Sequence, residues 1–343
     1  MKGVILVENS FVHPYMPNSV PENKKAMLDE LGISSVEDIY KSIIPDELLY
    51  KERLDIPEPI RSEYELKRHV MGILNRDITT EEYTSFLGAG CYKHQVPAIC
   101  DEINSRGEFL TAYCGDTYSD HGKMQAIFEY TSMMGELLDT DVVSYTTYDG
   151  GQAVASSLRM AVRAVREKGM AGKVILVPKT MNPEIYSQVV QYCRNVAEVR
   201  KIAYEPETGL MDLEELKEQL TKKNVAAVFF ENPTYLGNFE TRGEEIAKLA
   251  HDAGAYCVVQ TEVAALGIME SPVNQGADIV CGDIQPLGMH IQFGGGQAGF
   301  IACNQNMDLV EQFPTYMYGI TETEKEDTYG WGRAMNYRSS HGS

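Results

Sequence analysis

The sequence predicts an α/β protein with a mostly parallel, doubly wound sheet, preceded by a helical N-terminal arm. Between residues 141 and 310, short apolar runs such as KVILVP and AAVFFENP alternate with stretches of helical spacing. Nearly continuous apolar strands are typical of a sheet that helices cover on both faces, and such sheets are largely parallel. Before this region the residues show helical spacing and prolines, without a strand pattern.

The arm is predicted to cover residues 1–85. Prolines separate predicted helices over residues 26–31, 36–42 and 63–74. Because the apolar residues of these segments recur at helical spacing, an arm that packs on another surface is favoured over a mobile tail.

Residues 86–310 are predicted to form one large domain. A glycine turn and a short helix open it, and a long helix follows over KMQAIFEYTSMMGELLDT. The predicted strands are DVVSYTTY, KVILVP, EVRKIAYE, AAVFFENP, AYCVVQTE, ADIVCGDI and GFIACN, with helices between most of them. Residues 311–343 read as the start of a smaller C-terminal domain that is cut short.

Composition excludes several classes of partner. The chain of 343 residues carries 30 Lys and Arg against 50 Asp and Glu, a net charge of −20. A surface this acidic repels nucleic acid and anionic membranes. No apolar run reaches the roughly 20 residues of a membrane span, and no signal peptide is recognisable, so a cytoplasmic location is expected.

Seven cysteines are scattered along the chain without CxxC spacing. This distribution favours buried, reduced cysteines over a zinc site or a complete set of disulfides. The polar stretch AYCGDTYSDHG places Asp116, Asp120 and His121 close together, but loop solvation or helix capping explains such clusters, so no metal site is expected.

Parallel sheets bind ligands at the carboxyl ends of their strands. This rule indicates residues 148–151, 178–180, 232–235, 260–262 and 283–287 as the candidate site. Among them, Asp149 and Gly150 stand where a strand runs through glycines into a helix, whose first N–H groups bind anions such as phosphate. A plain strand–helix turn capped by Asp149 is the alternative.

Two further features have a ligand-binding and a plain structural interpretation. Gly294 and Gly295 allow close approach of a ligand, or else form a tight turn or bulge before the next strand. Glu262 ends the strand AYCVVQTE, where active pyridoxal enzymes often place an acid against the ring nitrogen of the cofactor, or else it is a surface carboxylate.

The absence of a lysine from one stretch of the sequence is equally informative. Large α/β enzymes that use pyridoxal phosphate need a lysine amine after a late strand, shortly before a glycine-rich turn. The matching stretch here is GDIQPLGMHIQFGGGQAG, and no lysine occurs between Lys248 and Lys325. Gln285 and Pro286 stand where that lysine is expected.

With these blocks the sequence resembles subunit 1 of the split glycine-cleavage P-protein. The likeness runs through HPYMPNSVPENKKAMLDELGISSVEDIY, FLGAGCYKHQVPAICDEINSRGEFLTAY, YDGGQAVA, ENPTYLGNFE, IAKLAHDAGA and GADIVCGDIQPLGMHIQFGGGQAGFIA. The segment GDIQPLG…FGGG is the most specific, because subunit 1 carries Q-P-L-G where subunit 2 carries the pyridoxal lysine.

The resemblance implies an aspartate-aminotransferase-like fold and a heteromer, of the heterotetramer type, in which the partner subunit 2 holds pyridoxal phosphate covalently. The implied activity is that of glycine dehydrogenase (decarboxylating), which transfers the aminomethyl group to the lipoyl arm of the H-protein. Tyr113 and Tyr148 are carried over as residues at the active-site mouth, and Asp149 and Gly150 as weak cofactor contacts. Gly294 and Gly295 are added as weak cofactor contacts from the triple-glycine motif itself.

The chain also departs from the family pattern. The family's T-P-Y-Q-P-E-I-S-Q-G, after the matching tyrosine, is replaced by CGDTYSDHG, which changes a loop near the expected mouth. Three alternatives therefore stay open: the same architecture acting on another small amino acid, a non-catalytic interaction module, and an independent enzyme with Cys114 or Cys281 as nucleophile.

Overall fold

The computed structural model describes residues 12–50, 52, 54–86, 90, 92–109, 121–222 and 224–334. The chain divides into two compact units, residues 1–78 and residues 79–343. The domain boundaries predicted from the sequence, after residues 85 and 310, stay a prediction.

The N-terminal unit is helical. Its helices are α1 (Pro21–Leu31), α2 (Val36–Lys41) and α3 (Glu63–Leu74). The hydroxyl of Ser62 accepts a hydrogen bond from the N–H of Glu65 and so caps α3. Among the described residues of this unit, no side chain is buried, although many are apolar.

The second unit carries the sheet. In chain order its elements are α4 (Ala98–Asn104), α5 (His121–Leu138), β1 (Val142–Val143), α6 (Gly150–Glu167), β2 (Val174–Pro178), α7 (Pro183–Cys193), β3 (Glu198–Ile202), α8 (Leu213–Leu220), β4 (Val225–Asn232), α9 (Gly243–Asp252), β5 (Tyr256–Thr261), β6 (Ile279–Asp283), β7 (Gly299–Cys303), α10 (Met307–Val310), β8 (Met317–Glu322) and β9 (Tyr329–Ala334).

Seven strands form one sheet in the order β1-β7-β6-β5-β4-β2-β3. The pairs β2–β3, β2–β4, β4–β5 and β5–β6 are parallel, whereas β7 is antiparallel to both β6 and β1. The carboxyl ends of β2, β4, β5 and β6 therefore lie at one edge of the sheet, as the sequence predicts.

Helices cover both faces of this sheet. One buried cluster joins α6 and α7 to strand residues such as Phe229 and Ile279. The other joins α5, α8 and α9 to Val228 and Phe230, which alternate with the first set along β4. The predicted α/β fold with a mostly parallel, doubly wound sheet is confirmed.

Two regions differ from the sequence interpretation. The first strand was expected over residues 141–148 but pairs as a strand only at 142–143, with one isolated bridge between Thr147 and Gly299. Residues 317–334, within the polar tail, form the antiparallel hairpin β8–β9, which the sequence analysis missed.

Within the described ranges, no helix combines the length and the apolar character that crossing a bilayer requires. The same part of the chain contains no group of three or more His, Cys, Asp or Glu side chains placed to hold a metal ion. Asp116, Asp120 and Cys114 lie outside it.

Candidate functional site

A cavity of about 120 Å³ opens at the edge of the sheet where β2, β4, β5 and β6 end. Its described lining consists mainly of residues that follow these strands or begin α6 and α7: Gly90, Tyr92, Asp149, Gly150, Gly151, Asn182, Glu184, Ile185, Gln188, Glu231, Pro233, Tyr235, Gln260, Thr261, Glu262, Asp283 and Gln297. The strand-end rule therefore located this site from the sequence, although it did not identify every group.

The cavity is acidic. Its described lining contains the five carboxylates Asp149, Glu184, Glu231, Glu262 and Asp283, and no lysine or arginine is among these lining residues. A surface with this charge attracts cations and repels phosphate.

Glu231 is the most buried of these carboxylates. It ends the apolar run of β4 and is 4% exposed. Its oxygens accept hydrogen bonds from the backbone N–H of Asn182, at 3.1 and 3.2 Å, and from the N–H of Tyr235. Burial outweighs these bonds and raises the pKa of Glu231 to about 7.

Asp283, at the end of β6, contacts the start of α6. Its Oδ2 accepts a hydrogen bond from the N–H of Gly150 at 2.9 Å, and its Oδ1 accepts one from the N–H of Gln285 at 2.8 Å. Burial raises the pKa of Asp283, whereas the backbone N–H groups of Gln285, Gly150 and Ala298 lower it. Asp149 caps the same helix by accepting from the N–H of Gln152 at 2.6 Å.

Gln285 occupies the position after β6 where the sequence analysis expects the lysine of a pyridoxal phosphate enzyme. It is 3% exposed, and its Nε2 donates a hydrogen bond to the carbonyl of Gly296 at 2.8 Å. This bond closes the glycine-rich loop between β6 and β7. Gln285 therefore has a structural role here, and its carboxamide cannot form the covalent bond that an amine would make.

These residues do not fit pyridoxal phosphate. The cofactor needs a primary amine for covalent attachment and cations or free N–H groups for its phosphate. The described lining offers no amine, and the N–H of Gly150 already donates to Asp283. The oxygen Oε1 of Gln260 is buried without a hydrogen-bond partner among the described residues, which adds an acceptor rather than a donor.

Glu262 lies in the cavity lining, as the strand-end rule indicated. Its side chain accepts a hydrogen bond from the N–H of Ala264 at 3.3 Å and caps the short helical turn that follows β5. Burial raises its pKa, and the nearby charge of Asp283 acts in the same direction. Capping is therefore one observed role of this carboxylate, and a contact with a ring nitrogen stays a prediction.

Three other predicted residues, Tyr148, Gly294 and Gly295, do not line this cavity. Tyr148 is 86% exposed and lines a separate surface depression together with Tyr192. Gly294 has a φ of +93°, which favours glycine, so the turn interpretation explains its presence. Gly295 belongs to the same turn, where a Cβ would lie 2.6 Å from the Cβ of Gln292. Tyr113 lies outside the described residues.

Some lining residues were not singled out from the sequence. Glu231 lies one residue before the range 232–235, and Asn182 lies two residues beyond the range 178–180. The signal that was available is the polar Glu-Asn pair at the end of the apolar run AAVFF, because a carboxylate in such a buried position requires partners.

The geometry of Cys281 does not support the alternative of an independent enzyme that uses this cysteine as its nucleophile. This thiol is fully buried in β6, and its Sγ lies 3.7 Å from the carbonyl of Val259. Burial raises its pKa to about 12, whereas a nucleophilic cysteine needs a lowered pKa and an exposed sulfur.

Comparison with known proteins identifies the family. A sequence model described as glycine cleavage system P-protein matches residues 13–341. The probable glycine dehydrogenase (decarboxylating) subunit 1 of Pyrococcus horikoshii is 38% identical over 329 residues, covering 95% of this chain and 71% of the relative. The protein of the same name from Staphylothermus marinus is 35% identical over 322 residues, covering 91% of this chain and 66% of the relative.

A solved structure agrees with these relatives. A crystal structure of glycine decarboxylase (P-protein) of the glycine cleavage system, in inhibitor-bound form, matches with a TM-score of 0.73 and 30% sequence identity, covering 95% of this chain and 69% of that one. The resemblance found in the sequence is confirmed, and the chain belongs to the glycine cleavage system P-protein family.

Proposed function

We propose that this chain is the non-lysine subunit of a heteromeric glycine decarboxylase. In this proposal a lysine-bearing subunit 2 holds pyridoxal phosphate, and the aminomethyl group of glycine passes to the lipoyl arm of the H-protein. The relatives of this chain are named subunit 1, which supports the existence of a second subunit.

The observation that carries the proposal is the buried carboxamide of Gln285. The side chain lies after β6, where the related fold needs an amine, and it donates its hydrogen bond to Gly296 within the same loop. Because no lysine lies between Lys248 and Lys325, no neighbouring residue of this stretch can replace it. Catalysis therefore requires an amine from another chain.

The exposed apolar residues of the N-terminal unit are a further observation in favour of a protein partner. Its described residues bury no side chain, yet α3 carries an apolar stripe that includes Leu66, Val70 and Ile73. A helix with one apolar face is stabilised mainly when that face packs on another surface. Subunit 2 is the partner that the proposal assigns to this surface.

The chain's own contribution is positional in this proposal. Tyr148 projects into solvent beside the start of α6, and its N–H donates a hydrogen bond to Oε1 of Gln152 at 2.8 Å. An exposed aromatic residue held by a rigid backbone suits contact with a substrate or carrier protein that enters the mouth. We assign Tyr148 and Tyr113 to that mouth.

Reconstitution tests the proposal. The isolated chain, the isolated subunit 2 and their mixture are assayed for glycine–bicarbonate exchange in the presence of H-protein. We expect activity in the mixture alone. Borohydride reduction followed by mass spectrometry should place the pyridoxyl group on subunit 2, and a pyridoxyl group on any side chain of this molecule would refute the proposal.

A second candidate keeps the architecture and changes the substrate. The altered loop AYCGDTYSDHG motivates it, because the family pattern near the mouth is lost there. The same mixture is assayed with other small amino acids in place of glycine. Turnover of one of them above the rate with glycine favours this candidate, and robust exchange with glycine alone removes it.

A mixture that forms a stable complex but is inactive with every amino acid would instead indicate a non-catalytic interaction module.

A further inference from the structure

Three backbone amides surround one carboxylate at the carboxyl edge of the sheet. The N–H of Gly150 donates to Asp283 at 2.9 Å, the N–H of Gln285 donates at 2.8 Å, and the N–H of Ala298 is a third donor. The three donors come from the start of α6, the loop after β6 and the approach to β7. Amides from three separate segments thus converge on a single anion.

This arrangement is an anion site of the kind that binds phosphate. The helix α6 is 18 residues long and begins at Gly150, so its first N–H groups carry a partial positive charge. Two further amides beside a helix start make the type of cradle that holds phosphate groups in α/β proteins. In this chain the anion is a side chain of the protein itself.

Close approach of the two segments depends on glycine. A Cβ on Gly150 would lie 3.1 Å from the Cβ of Asp283 and 3.2 Å from its backbone nitrogen. It would also lie 3.2 Å from the backbone carbon of Gly282. Gly150 therefore lets the start of α6 lie close enough to the end of β6 for the carboxylate to reach the helix start.

A phosphate at this helix start would also meet a second carboxylate. Asp149 caps α6 by accepting from the N–H of Gln152 at 2.6 Å. The described lining of the cavity adds Glu184, Glu231 and Glu262, and it contains no lysine or arginine. Electrostatic repulsion therefore acts against an added anion even where an amide is free.

We propose that Asp283 is a built-in anion that fills the phosphate position of this fold and thereby prevents the chain from taking up the phosphate of the cofactor. The proposal deepens the proposed function, on which it rests, since it names the residue that keeps this subunit free of cofactor. Without the lysine the cofactor cannot be attached covalently. With Asp283 in place, the three amides are not available to the phosphate of the cofactor. The two features act on different parts of the cofactor.

The test uses the full chain and two probes, inorganic phosphate and pyridoxal phosphate. Asp283→Ser empties the cradle, and Glu262→Gln is the matched control, because it neutralises a lining carboxylate that accepts from the N–H of Ala264, whereas the N–H of Gly150 donates to Asp283. We expect saturable phosphate binding by Asp283→Ser, at least about tenfold tighter than by wild type or Glu262→Gln. In the variant, phosphate should also shift the amide resonance of Gly150.

A double variant extends the test to the cofactor. Gln285→Lys alone should retain little pyridoxal phosphate after borohydride reduction and dialysis, whereas Asp283→Ser with Gln285→Lys should retain at least about tenfold more. Phosphate binding by wild type as tight as by Asp283→Ser would overturn the inference, and so would a folded Asp283→Ser that binds none.

Two readouts keep the outcomes separate. If Asp283→Ser does not fold, the wild-type chain decides, because a response of its Gly150 amide to phosphate contradicts an occupied cradle and the absence of a response supports one. Glycine–bicarbonate exchange by the wild-type complex reports on the proposed function alone, so a failure of the inference about Asp283 is distinguishable from a failure of the proposed function.

Discussion

Both carboxylate oxygens of Glu231 accept the backbone N–H of Asn182, at 3.1 and 3.2 Å. This contact joins the end of β4 to the residue that caps α7, since the side chain of Asn182 accepts from the N–H of Glu184 at 2.9 Å. A carboxylate that is nearly inaccessible to water thus organises one wall of the cavity. Its burial raises the pKa to about 7 from an ordinary value of 4.5.

The stability of the chain should therefore depend on the protonation of Glu231. Because the folded-state pKa is raised, the native chain keeps a proton that the unfolded chain releases, and the contribution of Glu231 falls as pH rises from about 4.5 to about 7. The total change is on the order of 3 kcal/mol. Above about pH 7 the carboxylate is charged in the folded and the unfolded chain, so stability no longer changes with the titration of Glu231.

Glu231→Gln removes this dependence. Urea unfolding of wild type and variant at about pH 5 and about pH 8 should show that the stability of wild type relative to the variant declines across the window. Glu244→Gln, an exposed substitution on α9, controls for the loss of one negative charge. A constant difference between wild type and Glu231→Gln at both pH values would contradict the buried titration.

Gln285 should matter for stability even though it is catalytically inert. Gln285→Ala removes the hydrogen bond to the carbonyl of the exposed Gly296 together with the packing of a side chain that is 3% exposed, and it should lower the free energy of unfolding by about 1–1.5 kcal/mol. Gln191→Ala on the exposed face of α7 is the matched control and should change it by less than about 0.5 kcal/mol. Equal effects of the two variants in urea unfolding would exclude the loop-closing role.

The sheet could be predicted from the sequence because its signal is local. The strands β2, β4 and β7 are buried at every position, so each reads as an unbroken apolar run, and the strand-end rule then indicates the edge where ligands bind. The contacts within that edge are not local. Asp283 and Gly150 are separated by 133 residues, and only the folded chain shows that one binds the other.

The hairpin β8–β9 was missed for a different physical reason. A two-stranded ribbon with partly exposed faces needs no apolar run, and residues such as Thr321 and Glu322 in β8 are exposed. The predicted first strand, residues 141–148, was too long because residue types that favour a strand continue beyond the paired residues 142–143. After Val143 the chain keeps aromatic and β-branched residues, but its further backbone bonds to β7 are those of the Ser144 N–H with the carbonyl of Ile301 and of the isolated bridge between Thr147 and Gly299.

Arg242 should contribute strongly to stability, because it joins the loop before α9 to the loop between β3 and α8. Its guanidinium bonds to Glu205 at 2.7 Å, to the buried Glu240 at 3.2 Å and to the carbonyl of Met211 at 2.7 Å. A lysine cannot satisfy three separated acceptors, so Arg242→Lys leaves Glu240 incompletely paired. We expect a loss of about 2–4 kcal/mol in the free energy of unfolding.

The control for this prediction is Arg200→Lys. Arg200 pairs with Glu198 on an exposed surface, where such pairs contribute at most about 1 kcal/mol. Urea unfolding of both variants separates a buried network from a surface ion pair. A cost for Arg242→Lys no larger than that for Arg200→Lys would show that Glu240 is satisfied by its remaining contacts.

The apolar stripe of α3 gives the most direct test of a partner. Leu66 and Val70 lie one turn apart and are 46% and 41% exposed, so replacing both by serine should leave the unfolding of the isolated chain nearly unchanged. If subunit 2 covers them, the double variant loses buried apolar area, and the complex should dissociate at least about tenfold faster. Surface plasmon resonance with immobilised subunit 2 measures this rate. Glu65→Ser with Arg68→Ser, on the polar side of the same helix, is the control, and an equal effect of both pairs would mean that the stripe is not the contact.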